Sequence, residues 1–281
     1  MQSLTPEIEA VQAADLASVV RASDCAAACA ARDPLVLPVT GAALDRADAL
    51  AIARVNGDDL GVAWRFDCAD GAIIDARVHP AARRRGVGRA LLAAVAGPHG
   101  PWLVSVDAAH RPARRALERL GFSVAGVVFH QRWDGVPEDV AGGFASATLR
   151  PAAHVDEVLR LVRAAGGGAH PRPSWARLGA LATLPEDAVH LRVAQRGDAS
   201  VGVVAAHRQG DAWEVDALAV LPEARRLGVG RCLLTDLMRR AAASRLGVQL
   251  RVGQSNDAAA SWSGGLGFWT YRTWVTYRRD A

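Results

Sequence analysis

Apolar and polar positions alternate along several short segments of the chain, and segments rich in alanine and leucine lie between them. A period of two predicts half-buried strands, whereas apolar residues three and four apart predict amphipathic helices. The strands predicted in the first half are residues 7–12, 49–55, 60–66, 72–78, 102–107 and 122–133. The helices predicted there are residues 14–21, 24–32 and 112–120, and one that begins after Gly86.

The second half repeats this order of elements. Its predicted strands are residues 145–149, 190–195, 200–207, 213–220, 248–252 and 268–277. Its predicted helices are residues 154–165, 175–182 and 257–266, and one that begins after Gly228. Glycine, proline and acidic residues gather at residues 134–143, a composition typical of a linker. The sequence therefore predicts an α/β protein of two similar domains, residues 1–138 and residues 139–281.

One stretch occurs in both halves, at residues 78–89 and 220–231. Each copy reads Val-x-Pro-x-Ala-Arg-Arg-x-Gly-Val-Gly-Arg, which predicts a strand end, a turn and a helix that begins at the glycines. Glycines let the backbone approach an anion, and the amides and dipole of a first helical turn favour negative charge. A phosphate-binding loop is therefore predicted in each half. Neither copy has the third glycine of a dinucleotide fingerprint or the Gly-Lys of a nucleotide phosphate loop.

The composition excludes some kinds of chemistry. All 33 basic residues are arginine, so a Schiff-base lysine and a lysine general base are excluded. The net charge of +4 is modest, and the arginines are spread over both halves of the chain. Neither feature favours a nucleic-acid surface. No apolar run reaches the roughly 18 residues of a membrane helix, and residues 1–9 lack a signal-peptide pattern. We therefore expect a cytoplasmic protein without a membrane partner; no pattern sets an oligomeric state.

The cysteines and histidines do not have the spacing of a metal site. Cys25 and Cys29 lie four residues apart on a predicted helix, and no second close pair or nearby histidine completes a zinc site. We expect both to be small buried apolar residues, and we expect no metal.

The repeated stretch resembles the coenzyme A loop of the GNAT acyltransferase superfamily. A second signature of that family, a helix that stops at Gly-Phe, occurs at Gly121-Phe122 and again at Gly267-Phe268. The resemblance covers nearly the whole chain, and duplicated chains of this kind look like the mycothiol synthases. It implies two tandem GNAT-like domains, each a twisted mixed sheet flanked by helices, whose fourth and fifth strands splay apart.

The resemblance also implies a cofactor, acetyl-CoA or coenzyme A, with one or two molecules bound per chain in the splayed gaps. The residues implied to bind it in the second half are Leu218, Ala219, Val220, Arg225, Arg226, Leu227, Gly228, Val229, Gly230, Arg231 and Asn256. Those implied in the first half are Val78, Arg83, Arg84, Arg85, Gly86, Val87, Gly88 and Arg89.

The two halves differ where the family places a carboxylate that removes a proton from the amine. That position lies eleven residues before the first arginine of the loop, which is Glu214 in the second half and Ala72 in the first. The resemblance therefore implies a catalytic second half and a silent first half, whose loop either still binds coenzyme A or is a stabilising relic. Asp216 is expected on the same face of the strand, where it assists Glu214 directly or through like-charge repulsion.

The group that protonates the leaving thiolate departs from the family pattern. The family's tyrosine, seven residues after an asparagine, falls here on Ser263 when Asn256 is that asparagine. We predict that Ser263 relays a water or that Tyr271 reaches in from the last strand. Asn256 either contacts the pantetheine or caps the last helix.

The acceptor side is implied to lie over residues 166–175, where His170, Arg172 and Trp175 are the candidate contacts. The leading hypothesis is an acetyl-CoA-dependent N-acetyltransferase for the primary amine of a small molecule, of a kind that resembles the mycothiol synthases, although the resemblance does not fix the same acceptor. An antibiotic, an amino-sugar or a protein amino terminus are alternative acceptors. A rival function is a non-catalytic sensor or scaffold that binds coenzyme A, and another is an RNA-associated acetyltransferase whose RNA binding falls steeply with salt.

Overall fold

The chain folds into two compact units, which we describe from a computed structural model. The structure describes residues 6–12, 15–33, 44, 46–68, 71–97, 100–135, 147–166 and 175–280. The first unit comprises residues 1–127 and 273–281, and the second comprises residues 128–272. Both units are α/β, as predicted, and each carries one copy of the repeated stretch.

The first unit is a mixed sheet with helices on its faces. Its strands are β1 (Glu7–Val11), β2 (Ala49–Val55), β3 (Asp58–Cys68), β4 (Gly71–Val78), β5 (Trp102–Asp107) and the start of β6 (Ser123–Trp133). Its helices are α1 (Leu16–Arg32), α2 (Val87–Val95) and α3 (Arg111–Arg119), with a 3₁₀ turn at Pro80–Ala82. Strands β1 to β4 pair antiparallel in chain order, and β4 then pairs parallel with β5.

The second unit repeats this arrangement. Its strands are β7 (Thr148–Pro151), β8 (Val189–Arg196), β9 (Ala199–Gln209), β10 (Ala212–Val220), β11 (Gly247–Gly253) and the start of β12 (Trp269–Arg279). Its helices are α4 (Val155–Ala164), α5 (Trp175–Ala180), α6 (Val229–Ala243) and α7 (Asp257–Gly264), with 3₁₀ turns at Leu181–Thr183, Glu186–Ala188 and Pro222–Ala224. Strands β7 to β10 pair antiparallel in chain order, and β10 pairs parallel with β11.

The last strand of each half completes the sheet of the other unit. Residues 128–133 of β6 pair antiparallel with β11 in the second unit, and residues 274–279 of β12 pair antiparallel with β5 in the first. Tyr277 is fully buried there, and its hydroxyl donates to Glu118 at 3.0 Å. The boundaries of the compact units, after residues 127 and 272, therefore differ from the single boundary that was predicted after residue 138. The division into domains 1–138 and 139–281 stays a prediction.

Helix α1 is one element where two helices were predicted. Asp15 caps its start by accepting from the amides of Ala17 and Ser18, each at 3.3 Å. The helix then continues without interruption through Ala22 and Ser23 to Arg32. The predicted break was wrong because Ala22 is fully buried against the sheet and neither residue prevents helix formation. Cys25 and Cys29 are buried free thiols on its inner face, which confirms the expectation for them.

Two faces of the second sheet are covered in different ways. On one face, α6 packs Leu233, Leu234 and Leu237 against Val204, Ala206, Trp213 and Val215. On the other face, α4 and α5 pack Val158 and Leu178 against Val203, Ala205 and Ala217. Because strand side chains alternate between faces, Glu214 and His207 lie on the face of α4 and α5.

A buried histidine makes the stability of the second unit depend on pH. His190 is 1% exposed, accepts at Nδ1 from Arg240 at 3.3 Å and has its Nε2 atom 3.2 Å from Asp236. Burial lowers the pKa of His190 below the ordinary 6.5, although the Asp236 carboxylate opposes the shift. The unfolded chain therefore takes up this proton first as the pH falls, so His190 contributes stability that is lost below about pH 6.5.

We expect thermal unfolding followed by circular dichroism to show this loss. The melting temperature of the wild type should fall between pH 7.5 and pH 5.5 by more than that of His190→Gln, which keeps an amide donor for Asp236 but does not titrate. His154→Asn is the matched control, since His154 is exposed and asparagine is a good helix cap. Equal dependence on pH in wild type and His190→Gln would contradict the assignment.

Candidate active site

The second copy of the repeated stretch forms an open anion-binding loop between β10 and α6. The loop turns through Arg226, at φ +61°, and Gly228, at φ +81°, and α6 begins at Val229. Gly228 is the N-cap and no side chain caps the helix there, so the first amides of α6 have no partner within the helix. The positive end of the helix dipole adds to these amides. The loop therefore offers hydrogen-bond donors and a positive electrostatic potential to a pyrophosphate.

The first copy has the same backbone. Arg84 lies at φ +65° and Gly86 at φ +80°, and Gly86 is the uncapped N-cap of α2. A Cβ built on Gly88 or on Gly230 meets a valine methyl at 3.6 Å, which is an ordinary contact. The protein itself thus leaves room at both glycines, as a ligand that approaches the backbone requires.

The first arginine of each copy closes the loop. Arg225 donates from Nε to the carbonyl of Val220 at 3.1 Å and from Nη2 to the carbonyl of Ala165 at 2.6 Å. Arg83 donates to the carbonyl of Val78 at 3.0 Å and pairs with Asp33 at 2.6 Å. Both arginines are on the list of cofactor ligands that the sequence implied. Here their guanidinium groups hold the loop to the preceding strand.

The strands on either side of the predicted gap part after a short pairing. Strand β10 pairs with β11 only from Ala212 to Glu214, although it continues to Val220. Strand β4 pairs with β5 only at Ala72 and Ile73 and continues to Val78. Both units therefore contain the splayed fourth and fifth strands that the resemblance implied.

A β-bulge distinguishes β10 from β4. The pairing of β10 with β9 shifts by one residue between Val215 and Ala217, so Asp216 is the extra residue. The pairing of β4 with β3 has no such shift. A bulge re-aims side chains and takes backbone amides out of the regular ladder, and bulges are frequent beside active sites.

The bulge also changes which residue of the first half corresponds to Glu214. Glu214 lies opposite His207 in the second hairpin, and the matching pair in the first hairpin is Ile73 opposite Phe66. Counting along the sequence pointed to Ala72 because counting cannot detect an inserted residue. The correct counterpart is Ile73, which is aliphatic as well, so the first unit has no carboxylate at this place.

Glu214 forms an ion pair on the face of α4 and α5. Its Oε1 atom lies 2.6 Å from Nη2 of Arg251 on β11, and its side chain is 15% exposed. The carboxylate is thus held in place and remains within reach of solvent. A carboxylate so placed, next to the point where β10 and β11 part, has the position of a proton acceptor.

Asp216 has a different partner. Its Oδ2 atom lies 2.6 Å from Nδ1 of His207, and its side chain is 1% exposed. Asp216 thus pairs with His207, whereas Glu214 pairs with Arg251. Glu214, His207 and Asp216 form one group on one face of the sheet, and we refer to these three residues as the acid-histidine cluster.

Two residues, Ser263 and Tyr271, are candidates to donate a proton to the leaving thiolate, and they lie in different places. Ser263 is 1% exposed and donates to Gln131 at 2.5 Å, and it also lies within hydrogen-bond distance of the carbonyls of Ala259 and Ala260. It therefore holds α7 to β6. Asn256 accepts from the amide of Ala259 at 3.1 Å and is the N-cap of α7, the second of its two predicted roles.

Tyr271 lies near the acid-histidine cluster. Its hydroxyl donates to Gln249 at 3.1 Å, and Gln249 is the parallel partner of Glu214 in the sheet. Burial and the Glu214 carboxylate raise the pKa of Tyr271 above its ordinary value. The phenol therefore keeps its proton at neutral pH, as a proton donor must.

The predicted acceptor contacts fall outside what the structure describes, so they stay a prediction. His170 and Arg172 lie outside the described residues, and Trp175 begins α5 without a described side chain. His207 and Arg251 were missed by the sequence analysis. The tight turn between β9 and β10 pairs Gln209 with Ala212, so counting back from it would have placed His207 opposite Glu214.

The sequence matches two family models, one in each half. Residues 155–268 match the model described as "Acetyltransferase (GNAT) family", and residues 46–124 match the one described as "Acetyltransferase (GNAT) domain". The chain belongs to the GNAT family. It is a tandem GNAT protein, and acetyl transfer from acetyl-CoA is the general chemistry that membership assigns to it.

Solved structures of whole GNAT chains have the same fold. A GCN5-related N-acetyltransferase from Sphaerobacter thermophilus superimposes with a TM-score of 0.73 at 16% identity, covering 97% of this chain and 95% of that one. A tandem GNAT protein from the clavulanic acid biosynthesis pathway gives 0.71 at 20% identity, covering 98% of both chains. A GNAT acetyltransferase from Colwellia psychrerythraea gives 0.66 at 15% identity, covering 98% and 100%. No curated protein matches the sequence.

Two further findings concern the described residues of this GNAT protein. They contain no group of three or more histidine, cysteine or carboxylate side chains that could hold a metal ion. No helix in the described ranges is long and apolar enough to cross a membrane.

Proposed function

We propose that the chain is an acetyl-CoA-dependent N-acetyltransferase that acts on the primary amine of a small molecule, with its active site in the C-terminal half. One observation carries the proposal: both units have the anion-binding loop and the splayed strands, but the place that Glu214 occupies beside the gap of the second unit is taken by Ile73 in the first. The carboxylate that β4 does carry, Asp75, lies two residues further along the strand and pairs with Arg77 at 3.3 Å. The counterpart Ile73 cannot accept a proton. The first half, residues 1–138, binds coenzyme A without catalysing transfer.

The residues of the second half divide the work as follows. The first-turn amides of α6 at Val229 and Gly230 hold the pyrophosphate of acetyl-CoA, which supplies the acetyl group as an activated thioester. The β10 amides around the bulge at Asp216 polarise the thioester carbonyl. Glu214 removes a proton from the ammonium of the acceptor, directly or through water, and the free amine attacks.

Tyr271 protonates the leaving thiolate in this proposal, in place of Ser263. A thiol titrates near 8.5, so the thiolate leaves without a strong acid and the tyrosine contributes modestly. We expect Tyr271→Phe to lower kcat about tenfold or less, measured by release of free thiol at pH 7. Ser263→Ala should lower the melting temperature instead, because its hydroxyl is part of the core. A loss of kcat in Ser263→Ala without a loss of stability would reverse the assignment.

The acceptor that we propose is a ring-bearing amine, such as the cysteinyl amino-sugars that mycothiol synthases use. Trp269 and Tyr271 are exposed aromatic residues two positions apart on β12, so their rings lie on one face, and Tyr271 reaches Gln249 beside Glu214. Exposed aromatic rings beside a carboxylate suit a sugar or antibiotic ring that carries an ammonium group.

The experiment that tests the function is release of free coenzyme A thiol from acetyl-CoA across a panel of amines. The panel contains cysteinyl amino-sugars, other amino-sugars, aminoglycosides and peptides with free amino termini. Release with one class of small amine would support the proposal and identify the acceptor class. Coenzyme A binding without release for any amine would favour the non-catalytic sensor.

A further inference from the structure

The acid-histidine cluster contains a histidine, His207, that has no role when Glu214 acts alone as the base. His207 is largely buried on β9, opposite Glu214 on β10, and directly opposite residues in an antiparallel pair have Cβ atoms about 5 Å apart. The resemblance to the family assigned no role to this position. In the first unit the corresponding position is Phe66, opposite Ile73.

The hydrogen bond to Asp216 sets the protonation of the ring. A carboxylate only accepts, so the proton of the neutral imidazole is on Nδ1, 2.6 Å from Oδ2 of Asp216. The lone pair is then on Nε2, and the structure places no hydrogen-bond partner on that atom among the described residues. A ring oriented in this way by a buried carboxylate can take up a proton at Nε2, since the carboxylate stabilises the cation that forms.

The bulge explains why this carboxylate reaches the ring. Asp216 is the residue inserted between Val215 and Ala217, and the insertion turns its side chain toward a histidine that pairs with Glu214. The first unit has no such bulge, and it has Ile73 and Phe66 at the positions of Glu214 and His207. The three features thus occur as a set in the unit that has the proposed base.

We propose that His207, held by Asp216, receives the proton that Glu214 removes from the acceptor ammonium, an inference that rests on the proposed function. The ammonium N–H bond breaks and its proton passes to the Glu214 carboxylate. The carboxylic acid then gives the proton to Nε2 of His207, and the nitrogen lone pair of the amine attacks the acetyl carbon. After transfer Tyr271 protonates the thiolate and regains a proton from the second N–H of the former ammonium, and the imidazolium releases its proton to water.

The charged surroundings of His207 are compatible with this relay. On its face of the sheet, His207 pairs with Asp216 and lies opposite Glu214, both on β10, and Glu214 in turn pairs with Arg251 on β11 and acts on Tyr271 on β12. The residue opposite it on β8 is Val189, which carries no charge, and α4 and α5 cover this face with apolar residues. Arg251 pairs with Glu214 at 2.6 Å and holds that carboxylate in place.

The first test needs no acceptor. We would record long-range proton–nitrogen spectra of the full-length protein labelled with ¹⁵N-histidine, and assign His207 by the signal lost in His207→Asn. The expected result is a neutral ring protonated on Nδ1 in the wild type, and a mixture of tautomers in Asp216→Asn. A wild-type ring protonated on Nε2 would overturn the proposal, because that nitrogen could not accept a proton.

The second test uses the amine found in the panel and measures kcat/KM against pH. Asparagine keeps an amide nitrogen near the place of Nδ1 but carries no proton, so His207→Asn should lower kcat/KM about 100-fold and remove the acid limb that imidazoles give between pH 5 and 8. Asp216→Asn should lower it about tenfold. Affinity for acetyl-CoA should stay within about twofold in both, which excludes misfolding, and His154→Asn should match the wild type.

A wild-type pH profile in His207→Asn would overturn the relay and leave the proposed function intact. If no amine is acetylated, the proposed function fails instead. The spectra then decide the remaining question, whether His207 presents an unprotonated nitrogen beside Glu214.

Discussion

Glu214→Gln is expected to lower kcat by about 10²- to 10⁴-fold, the range that a positioned general base contributes. Glutamine keeps the shape of glutamate and keeps an oxygen for Arg251, which lies 2.6 Å from the carboxylate in the wild type. It cannot take up a proton. The substitution therefore removes one chemical property and leaves the packing of β10 and β11 in place. Affinity for acetyl-CoA, measured by calorimetry, should change by no more than about twofold.

The loss should also depend on pH in a defined way. Glu214 is needed to generate the free amine, so the deficit of Glu214→Gln should shrink as the pH rises toward the pKa of the acceptor amine. A deficit that stayed constant with pH would assign Glu214 to binding of the acceptor. It would then act as the partner of the ammonium and not as the base.

The duplicated chain supplies a matched control for this substitution. Ile73 occupies the position of Glu214 in the first unit and is half exposed, so Ile73→Gln should fold and leave kcat unchanged. If Glu214→Gln kept more than half of the wild-type rate while Ile73→Gln lost it, the active half would be the first, contrary to the proposal.

The fold could be predicted from the sequence because its signals are local. Alternation of two residues per period, turns marked by glycine and the repeated Arg-x-x-Gly-x-Gly stretch determine strands, helices and their order. The splayed strands and the two similar α/β units followed from the family resemblance. The exchange of β6 and β12 could not be predicted, because pairing between strands more than 100 residues apart leaves no trace in local periodicity.

The candidate site was predictable only in part, and the bulge is the reason. Glu214 was singled out by counting back eleven residues from Arg225 in the loop. Because Asp216 is an inserted residue, the alignment of β4 with β10 before it is displaced by one position. The counterpart of Glu214 is therefore Ile73 and not Ala72. The pairing of Asp216 with His207 depends on the same insertion. Ser263 and Asn256 were singled out by family spacing, and only the packing of α7 shows that their side chains are used within the protein.

The second large effect concerns the two loops. Gly230→Glu should abolish acetyl transfer, because it places a carboxylate at the first turn of α6, where the proposed pyrophosphate lies. Like charges brought together in an interface cost several kcal/mol, and each 1.4 kcal/mol is tenfold in affinity. Gly88→Glu is the matched substitution in the first loop, and it should leave transfer intact, since Ile73 takes the place of Glu214 in the first unit.

Calorimetric titration with coenzyme A distinguishes the two loops. The wild type should bind two molecules per chain, and each glutamate variant should bind one. Gly88→Ala and Gly230→Ala control for folding, since a Cβ meets a valine methyl at 3.6 Å at either position, and at Gly230 also the Trp262 ring at 3.8 Å, which are ordinary contacts. If the wild type bound one molecule and Gly88→Glu still bound one, the first loop would have the conformation of a coenzyme A loop but would not bind coenzyme A. A stoichiometry of two would mean instead that the first loop retains coenzyme A in a unit that has no counterpart of Glu214. The bound cofactor would then stabilise that unit, because a ligand that binds only the folded state shifts the folding equilibrium toward it.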